Sequence, residues 1–280
     1  MLTCQLRGRL KRGPRLGDLL AVGDWVQVSR LGGERGMVEA VEERTRMLVR
    51  MAPTPHGMYQ QILIANPDQA VFVFSCADPA PRLGMLDRFL VIAEKQDIPG
   101  LIVANKVDLV GPAAARALFD HYPALGYPVV YTSARQALGV EELRELLIGK
   151  VSVLAGPSGV GKSSLLNTLQ PGLGLVVREI SQATSKGRHT TVVRQLFPLD
   201  GGGYIADTPG LKALALWDIQ AHELDGYFPE LRTLVDQCQF SDCTHTHEPG
   251  CAVQAAVAQG QVHASRYESY RKMRTGQEDV

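Results

Sequence analysis

Gly156-Pro-Ser-Gly-Val-Gly-Lys162-Ser163 is the stretch of this sequence that decides the fold, because it fits the phosphate-loop pattern G-x-x-x-x-G-K-[ST]. Val151-Ser-Val-Leu154 before it is typical of a short buried strand, and Ser164-Leu-Leu-Asn-Thr-Leu169 after it is typical of a helix start. Glycines in such a loop let successive backbone N–H groups turn toward an anion at the helix N-terminus. The stretch therefore predicts a nucleotide-phosphate site.

The side chains of this loop have separate predicted roles. Lys162 is expected to reach the β- and γ-phosphates and to take part in catalysis, and the Ser163 hydroxyl is expected to complete the coordination of Mg²⁺. The predicted nucleotide contacts of the loop are Gly156, Pro157, Ser158, Gly159, Val160, Gly161, Lys162, Ser163 and Ser164.

A second motif, Asn105-Lys-Val-Asp108, indicates which base is bound. The Asp108 carboxylate can accept hydrogen bonds from the N1–H and N2–H₂ groups of guanine, whereas adenine offers no such pair of donors. Asn105 is expected to brace the loop, and the stem of Lys106 is expected to cover the face of the base. The motif therefore favours GTP and GDP over ATP, and an ATPase is the disfavoured alternative.

A second base-contact loop is predicted at Thr132-Ser133-Ala134, after the strand-like run Pro128-Val-Val-Tyr131. The backbone N–H of Ala134 is expected to bond guanine O6, with Ser133 beside it. On its own this tripeptide is not specific, and it is interpreted as a base-contact loop because the guanine-reading motif precedes it.

The order of the two main motifs is unusual, because a GTPase normally carries the phosphate loop before the guanine-reading loop. Here the guanine loop comes first, which predicts a circularly permuted GTPase domain. Strand-like runs and helical patterns alternate along this part of the chain, at 71–74, Met85–Gln96, 101–104, 128–131, Gly139–Leu147 and 151–154. That alternation favours an α/β domain with a parallel sheet covered by helices.

Asp207-Thr-Pro-Gly210 follows the strand-like Tyr204-Ile-Ala206 and predicts a loop that senses the metal and the γ-phosphate. Asp207 is expected to hold Mg²⁺ through a water, and the Gly210 N–H is expected to bond the γ-phosphate. Such a loop is ordered only while that phosphate is present.

A polar stretch between these loops, Ser185-Lys-Gly-Arg-His-Thr-Thr191, has the composition of a mobile switch. Either Thr190 or Thr191 is a candidate Mg²⁺ ligand, with Thr191 slightly favoured and also expected to take part in catalysis. Leu211 stands where many GTPases carry a glutamine that positions the attacking water, so slow intrinsic hydrolysis is expected. His189 is the candidate inside the chain for orienting that water or acting as a general base.

Four potential metal ligands cluster in the C-terminal part of the sequence, at Cys238, Cys243, His245 and Cys251. Zinc is the expected metal, since Cys₃His sites are typical structural zinc sites and clustered cysteines in a reducing compartment favour a metal over disulfides. His247 is an alternative to His245. The metal site is expected to anchor a helix-like segment at 252–274.

Residues 1–60 have a different character, with strand-like pieces at 23–28 and 36–41 and Gly-rich turns that predict a small OB-type β-barrel. This segment carries 10 Lys+Arg against 6 Asp+Glu, although the whole chain of 280 residues has a net charge of zero. A cationic strip of the kind that contacts nucleic-acid phosphates precedes the first acidic residue, at Arg7, Arg9, Lys11, Arg12 and Arg15.

Three parts are predicted: a barrel at 1–58, a permuted GTPase domain at 59–218 and a zinc-binding module at 219–280, with Ala52–Gly57 as the linker. The sequence contains no run of eighteen apolar residues and no signal-peptide core. A cytoplasmic protein that does not enter membranes is therefore expected, and nothing in the sequence demands a dimer, so a monomer is expected.

With these motifs, the chain resembles the ribosome small-subunit-dependent GTPase A family of bacteria over nearly its whole length. The matching segments are Gly36–Thr45, Ala65–Asp68, Asn105–Asp108, the phosphate loop, Lys186–Thr191, Asp207–Gly210 and the Cys/His cluster. The resemblance implies a GTPase that binds the small ribosomal subunit and its rRNA late in maturation and is stimulated by it. Two departures are Val192, where the family usually has a third threonine, and an N-terminus that is shorter and less basic than is common in the family.

The alternative from another class is a nucleotide-gated zinc and OB-barrel RNA-binding protein with little turnover of its own. Leu211 favours this alternative, because a leucine cannot orient a water molecule. If the chain is a GTPase, the short distance in sequence from Gly210 to the cysteine cluster suggests that GTP orders both switches so that the barrel and the zinc module hold rRNA. Hydrolysis would then loosen that grip.

Overall fold

The N-terminal strands form two separate sheets in the computed structural model, which describes residues 1–11, 18–54, 57–173, 195–207 and 219–277. β1 (Thr3–Leu6), β2 (Val26–Gly32) and β3 (Arg35–Val41) make a three-stranded sheet in the order β1-β3-β2. β4 (Met47–Thr54) and β5 (Gly57–Ala65) form a separate two-stranded sheet. Strand pairing within the described ranges does not close these sheets into a barrel, so the OB-type barrel stays a prediction.

The predicted linker at Ala52–Gly57 is wrong, because the described residues of this segment belong to the antiparallel strands β4 and β5. Ala52 pairs with Tyr59, and Thr54 pairs with Gly57. Prolines in the segment favour a linker in the sequence, but a proline such as Pro53 of β4 is tolerated in an edge strand. The predicted domain boundary between residues 58 and 59 therefore lies inside β5, and the division into three parts is still a prediction.

The β4–β5 hairpin is continuous with the central core of the protein. Leu48 and Ile64 are buried in the same hydrophobic cluster as Phe72 and Phe89, which lie beyond the predicted boundary. The hairpin therefore packs against the core of the nucleotide-binding part.

Six strands form the central sheet: β6 (Gln69–Ser75), β7 (Gly100–Asn105), β8 (Val129–Tyr131), β9 (Val151–Ala155), β10 (Gln195–Pro198) and β11 (Tyr204–Asp207). Their spatial order is β10-β11-β9-β6-β7-β8, and every pairing is parallel except that of β10 with β11. All seven residues of β6 are buried, as expected of a central parallel strand covered on both faces.

Helices cover both faces of this sheet: α1 (Leu83–Lys95), α2 (Pro112–Phe119), α3 (Val140–Leu147) and α4 (Lys162–Leu169). Successive side chains of β6 point to opposite faces, so Phe72 and Phe74 join the core cluster under α1 and α2. Val71 and Val73 join the cluster under α3 and α4. The predicted α/β architecture with a parallel, helix-covered sheet is confirmed.

The C-terminal part is made of short helices: a 3₁₀ helix at Ala221–Tyr227, then α5 (Pro229–Arg232), α6 (Ala252–Ala258) and α7 (Ala264–Arg274). The segment 252–274 is therefore two helices and not one, because the chain turns at Gly260, whose φ of +74° is left-handed. In the described part of the chain, no helix combines the length and the apolar character needed to cross a membrane.

Candidate functional site

The phosphate loop connects β9 to α4, in the strand–loop–helix arrangement that its sequence predicts. Gly156 has a φ of +151°, and a Cβ at this position would lie 2.1 Å from the carbonyl oxygen of Val73 in β6. Only glycine allows β6 and the loop to approach this closely. The loop is therefore fixed at the carboxyl edge of the sheet, where parallel α/β folds bind their ligands.

Lys162 is the first residue of α4, and its ammonium group folds back over its own loop. The Nζ group donates to the carbonyl oxygens of Gly156 at 2.9 Å and Pro157 at 2.6 Å. Ser163 and Ser164 follow in the first turn of the helix and are half-buried. The arrangement places a cation and a helix N-terminus together, which suits a polyphosphate.

Asn105 ties the guanine loop to the phosphate loop. The side chain lies at the carboxyl end of β7 and is 1% exposed. Its Nδ2 group donates to the carbonyl oxygen of Val160 at 2.8 Å, and its Oδ1 atom accepts from Thr132 Oγ1 at 3.0 Å and from the Ala134 N–H at 3.3 Å. The structure therefore brings together the phosphate loop and both predicted base-contact loops, with Asn105 in the bracing position predicted for it.

The other predicted base-contact residues lie beside this bridge. Lys106 has a left-handed φ of +64° and is followed by a short 3₁₀ helix, Val107–Leu109, which carries Asp108. Both side chains are half-buried, whereas Ser133 is fully buried and accepts a hydrogen bond from the Gln136 N–H at 3.2 Å. Guanine contact by these residues stays a prediction, including the bond from the Ala134 N–H to O6.

A buried thiol, Cys76, lies close to the guanine loop. Its backbone N–H donates to the carbonyl oxygen of Asn105 at 2.8 Å. Burial, and then the carboxylate of Asp108, raise the pKa of Cys76 to about 11. The thiol is therefore protonated at neutral pH and acts as an apolar neighbour of the site.

The predicted metal and γ-phosphate residues fall partly within the described ranges. Asp207 ends β11 and pairs in register with Leu154 of β9, the strand that leads into the phosphate loop. The predicted residues His189, Thr190, Thr191 and Gly210 lie outside the described residues, as does Leu211. Their roles stay predictions.

The four predicted metal ligands converge in one cluster, with the ligand atoms of Cys238, Cys243, His245 and Cys251 all within 4.8 Å of one another. His245 Nδ1 lies 3.5 Å from Cys238 Sγ and 3.4 Å from Cys251 Sγ. Atoms about 2.0–2.3 Å from a tetrahedral zinc ion have mutual distances of this size. Three thiols and one imidazole therefore form a donor set that fits zinc.

The neighbours of the cluster settle which histidine belongs to it. His245 is 1% exposed, whereas His247 is exposed and its Nδ1 atom lies 2.8 Å from Thr246 Oγ1. His245 Nε2 lies 3.3 Å from Asp225 Oδ2. A carboxylate at that position orients a metal-binding imidazole. Asp225 was not predicted, because it lies outside the cysteine spacing, in the 3₁₀ helix at Ala221–Tyr227.

The phosphate loop on β9 and the guanine loop on β7 together define a P-loop GTPase domain in which the guanine loop comes first along the chain. The family model described as RsgA GTPase matches residues 41–217. The chain belongs to this family of GTPases. GTP, GDP and Mg²⁺ are the ligands that such membership implies, and the alternative of a binding protein with little turnover is not favoured.

Proteins with related sequences agree with this assignment. A small ribosomal subunit biogenesis GTPase RsgA of Gemmatimonas aurantiaca is 48% identical over 275 residues, which cover 97% of this chain and 89% of the relative. The protein of the same description from Thermotoga maritima is 43% identical over 276 residues, covering 97% and 88% of the two chains.

Two solved structures have the same architecture. The crystal structure of YjeQ from Thermotoga maritima superposes with a TM-score of 0.79 at 38% identity and covers 99% of this chain and 90% of that one. The crystal structure of YloQ, described as a circularly permuted GTPase, gives a TM-score of 0.75 at 34% identity and covers 99% and 86%. The predicted circular permutation is therefore confirmed.

Proposed function

We propose that this GTPase hydrolyses GTP while bound to the small ribosomal subunit, during a late step of its maturation. One observation carries the proposal: relatives described as small ribosomal subunit biogenesis GTPases match 97% of this chain at 43–48% identity. The match extends beyond the nucleotide-binding part into both flanking parts, where a partner-specific function would be located.

The nucleotide roles follow from the position of each residue. Asp108 reads the guanine edge, Lys106 covers the base, and Lys162 neutralises the β- and γ-phosphates. Ser163, Asp207 and Thr191 would hold Mg²⁺, which supplies charge neutralisation at the transferred phosphate when it is bound. Thr190 is the alternative to Thr191.

The subunit completes the catalytic arrangement. Leu211 cannot orient the attacking water, so His189 takes that role or the small subunit supplies the missing polar group. Slow hydrolysis by the free protein and faster hydrolysis on the subunit follow from this arrangement.

Contacts to rRNA are assigned to the two flanking parts. The N-terminal sheets form the OB-type module, and the zinc cluster holds the second contact region in place. In the cationic strip, Arg7 and Arg9 both pair with the carboxylate of Glu39 in β3. This carboxylate neutralises part of their positive charge. The protein acts as a cytoplasmic monomer.

GTP hydrolysis by the zinc-loaded chain, measured with and without small ribosomal subunits, tests the proposal. ATP and large subunits are the controls for nucleotide and partner, and Lys162→Ala is the control for the site. Stimulation by small subunits with GTP alone is expected. Equal, slow turnover under all conditions would overturn the proposal.

A further inference from the structure

Ser75 is a buried polar residue that belongs to none of the motifs described above. It ends β6, the strand that lies between the strand of the phosphate loop and the strand of the guanine loop. Its side chain is 1% exposed, and its hydroxyl donates to the carbonyl oxygen of Pro79 at 2.7 Å. This bond closes a tight loop at the edge of the sheet where the nucleotide site lies.

The loop from Ser75 to Pro79 contacts the guanine loop at two points. At its start, the Cys76 N–H donates to the carbonyl oxygen of Asn105 at 2.8 Å. Near its end, the carbonyl oxygen of Asp78 accepts a hydrogen bond from Lys106 Nζ. Ser75 therefore closes the loop that holds the far end of the Lys106 side chain.

Lys106 also passes close to the phosphate loop. A Cβ built on Gly161 would lie 3.9 Å from Lys106 Cε. The lysine stem therefore runs from the guanine loop, past the phosphate loop, to the carbonyl of Asp78. A side chain held at its far end loses less conformational entropy when a ligand packs against its stem, which favours binding.

We propose that Ser75 is a positioning residue for guanine-nucleotide binding, acting through the Asp78 carbonyl on Lys106 without touching the nucleotide. The inference rests on the role proposed above for Lys106 as the cover of the base. The net contribution of one neutral hydrogen bond corresponds to about a two- to tenfold change in an equilibrium constant. Removal of the Ser75 hydroxyl should weaken GDP and GTP binding by a factor in this range.

The sharpest test compares Ser75→Thr with Ser75→Val in the full-length, zinc-loaded protein. The two replacements have nearly the same shape and differ in the hydroxyl group. Equilibrium titration with fluorescent GDP and GTP analogues should give near wild-type affinity for Ser75→Thr and about two- to tenfold weaker affinity for Ser75→Val. The KM for GTP should rise in Ser75→Val more than kcat falls.

Ser152→Ala is the matched control, because Ser152 is also a fully buried serine of the same sheet. Ser152 lies in β9, away from the loop of Ser75, and its hydroxyl accepts a hydrogen bond from Gln69 Nε2 at 3.0 Å. This variant also loses a hydrogen bond of a buried serine hydroxyl, here as the acceptor, and should bind both nucleotides as the wild type does. Equal weakening in Ser152→Ala and Ser75→Val would mean general destabilisation and would overturn the inference.

Lys106→Ala, alone and combined with Ser75→Val, separates the inference from the function on which it rests. If Ser75 acts through Lys106, the double variant should bind no more weakly than Lys106→Ala. Additive losses, or wild-type binding by Ser75→Val when Lys106→Ala is weakened, would refute the positioning role and leave that of Lys106 intact. Wild-type binding by Lys106→Ala would refute both.

Discussion

The guanidinium group of Arg266 lies 2.8 Å from the carboxylate of Asp87, and neither side chain is exposed to solvent. Arg266 belongs to α7 of the C-terminal part, and Asp87 belongs to α1 beside the central sheet. Arg266 also reaches Glu230 at 2.7 Å, and the Tyr122 hydroxyl donates to Asp87 at 2.8 Å. The metal-binding part and the nucleotide-binding part are therefore joined by a buried ionic network.

Replacement of Arg266 by alanine should lower the free energy of unfolding by about 3–5 kcal/mol, because two carboxylates would be left buried without their cation. Denaturant unfolding followed by far-UV circular dichroism measures this change. Arg271→Ala is the matched control on the same helix, since Arg271 pairs with Glu268 at 3.2 Å and both side chains are about half exposed. It should cost less than about 1 kcal/mol. Similar losses in the two variants would contradict the structural role of the network.

A stacked histidine pair at the same junction should make stability depend on pH. The rings of His121 and His263 lie 4.0 Å apart at an angle of 6°. Burial, followed by the charges of His263 and Arg266, lowers the pKa of His121 to about 4. The unfolded chain binds this proton at about pH 6.5, so the contribution of His121 to stability is lost as the pH falls from about 6.5 to 4.

His121→Phe keeps an aromatic ring in the stack and removes the titrating group. Its melting temperature should therefore fall less between pH 7 and pH 5 than that of the wild type. His222→Gln, which alters an exposed histidine, should retain the wild-type dependence. If His121→Phe and the wild type lost the same number of degrees over this interval, the buried imidazole would not be the cause.

The nucleotide loops could be predicted because each is specified by a short local pattern at a strand end. The Cys/His cluster was predictable for the same reason, and only the choice between His245 and His247 needed the fold. The long-range contacts could not be predicted, because they depend on the order of strands and helices in space. Arg266 and Asp87 are 179 residues apart in sequence, and no local pattern marks either of them as a member of an ion pair.

Two errors have local physical causes. The segment 52–57 is typical of a linker in sequence because it contains two prolines and a glycine, yet Met47–Thr54 and Gly57–Ala65 pair as antiparallel strands. The sequence predicts one helical segment at 252–274 because helix-forming residues dominate this range. Gly260 ends the first helix by adopting a left-handed conformation that other residues avoid.

The metal cluster gives a prediction about zinc stoichiometry. The purified chain should contain one zinc ion. His245→Ala should lose it, because His245 supplies one of the four ligand atoms that a structural zinc site needs. His247→Ala should retain zinc, since that side chain is exposed beside the cluster. Elemental analysis after dialysis measures both variants. Zinc loss in His247→Ala alone would mean that the ligand assignment is wrong.

Asp225→Asn should bind zinc about 10–100-fold more weakly than the wild type, because an amide polarises the His245 imidazole less than a carboxylate does. Competition with a chelating dye of known affinity measures the change. Asp236→Asn provides a control, since Asp236 is close to Cys238 in sequence but its side chain is exposed to solvent. A wild-type affinity in Asp225→Asn would show that the 3.3 Å contact does not support the metal site.

Asp108→Asn should change which base the protein accepts. In the proposed complex the carboxylate would accept hydrogen bonds from N1–H and N2–H₂ of guanine, whereas asparagine would direct an N–H₂ donor at the N2–H₂ group. The affinity for GDP should fall by about 100-fold. Xanthine carries a carbonyl oxygen at C2, which can accept from the asparagine amide, so xanthosine diphosphate should bind the variant better than GDP does.

Asp97→Asn is the control for the same chemical change at a surface position, because the Asp97 side chain is 95% exposed. Competition titrations with GDP and xanthosine diphosphate on both variants give the comparison. A loss of GDP affinity without any gain for xanthosine diphosphate would mean that Asp108 supports the loop conformation and does not read the base. An unchanged preference for GDP would place guanine recognition elsewhere.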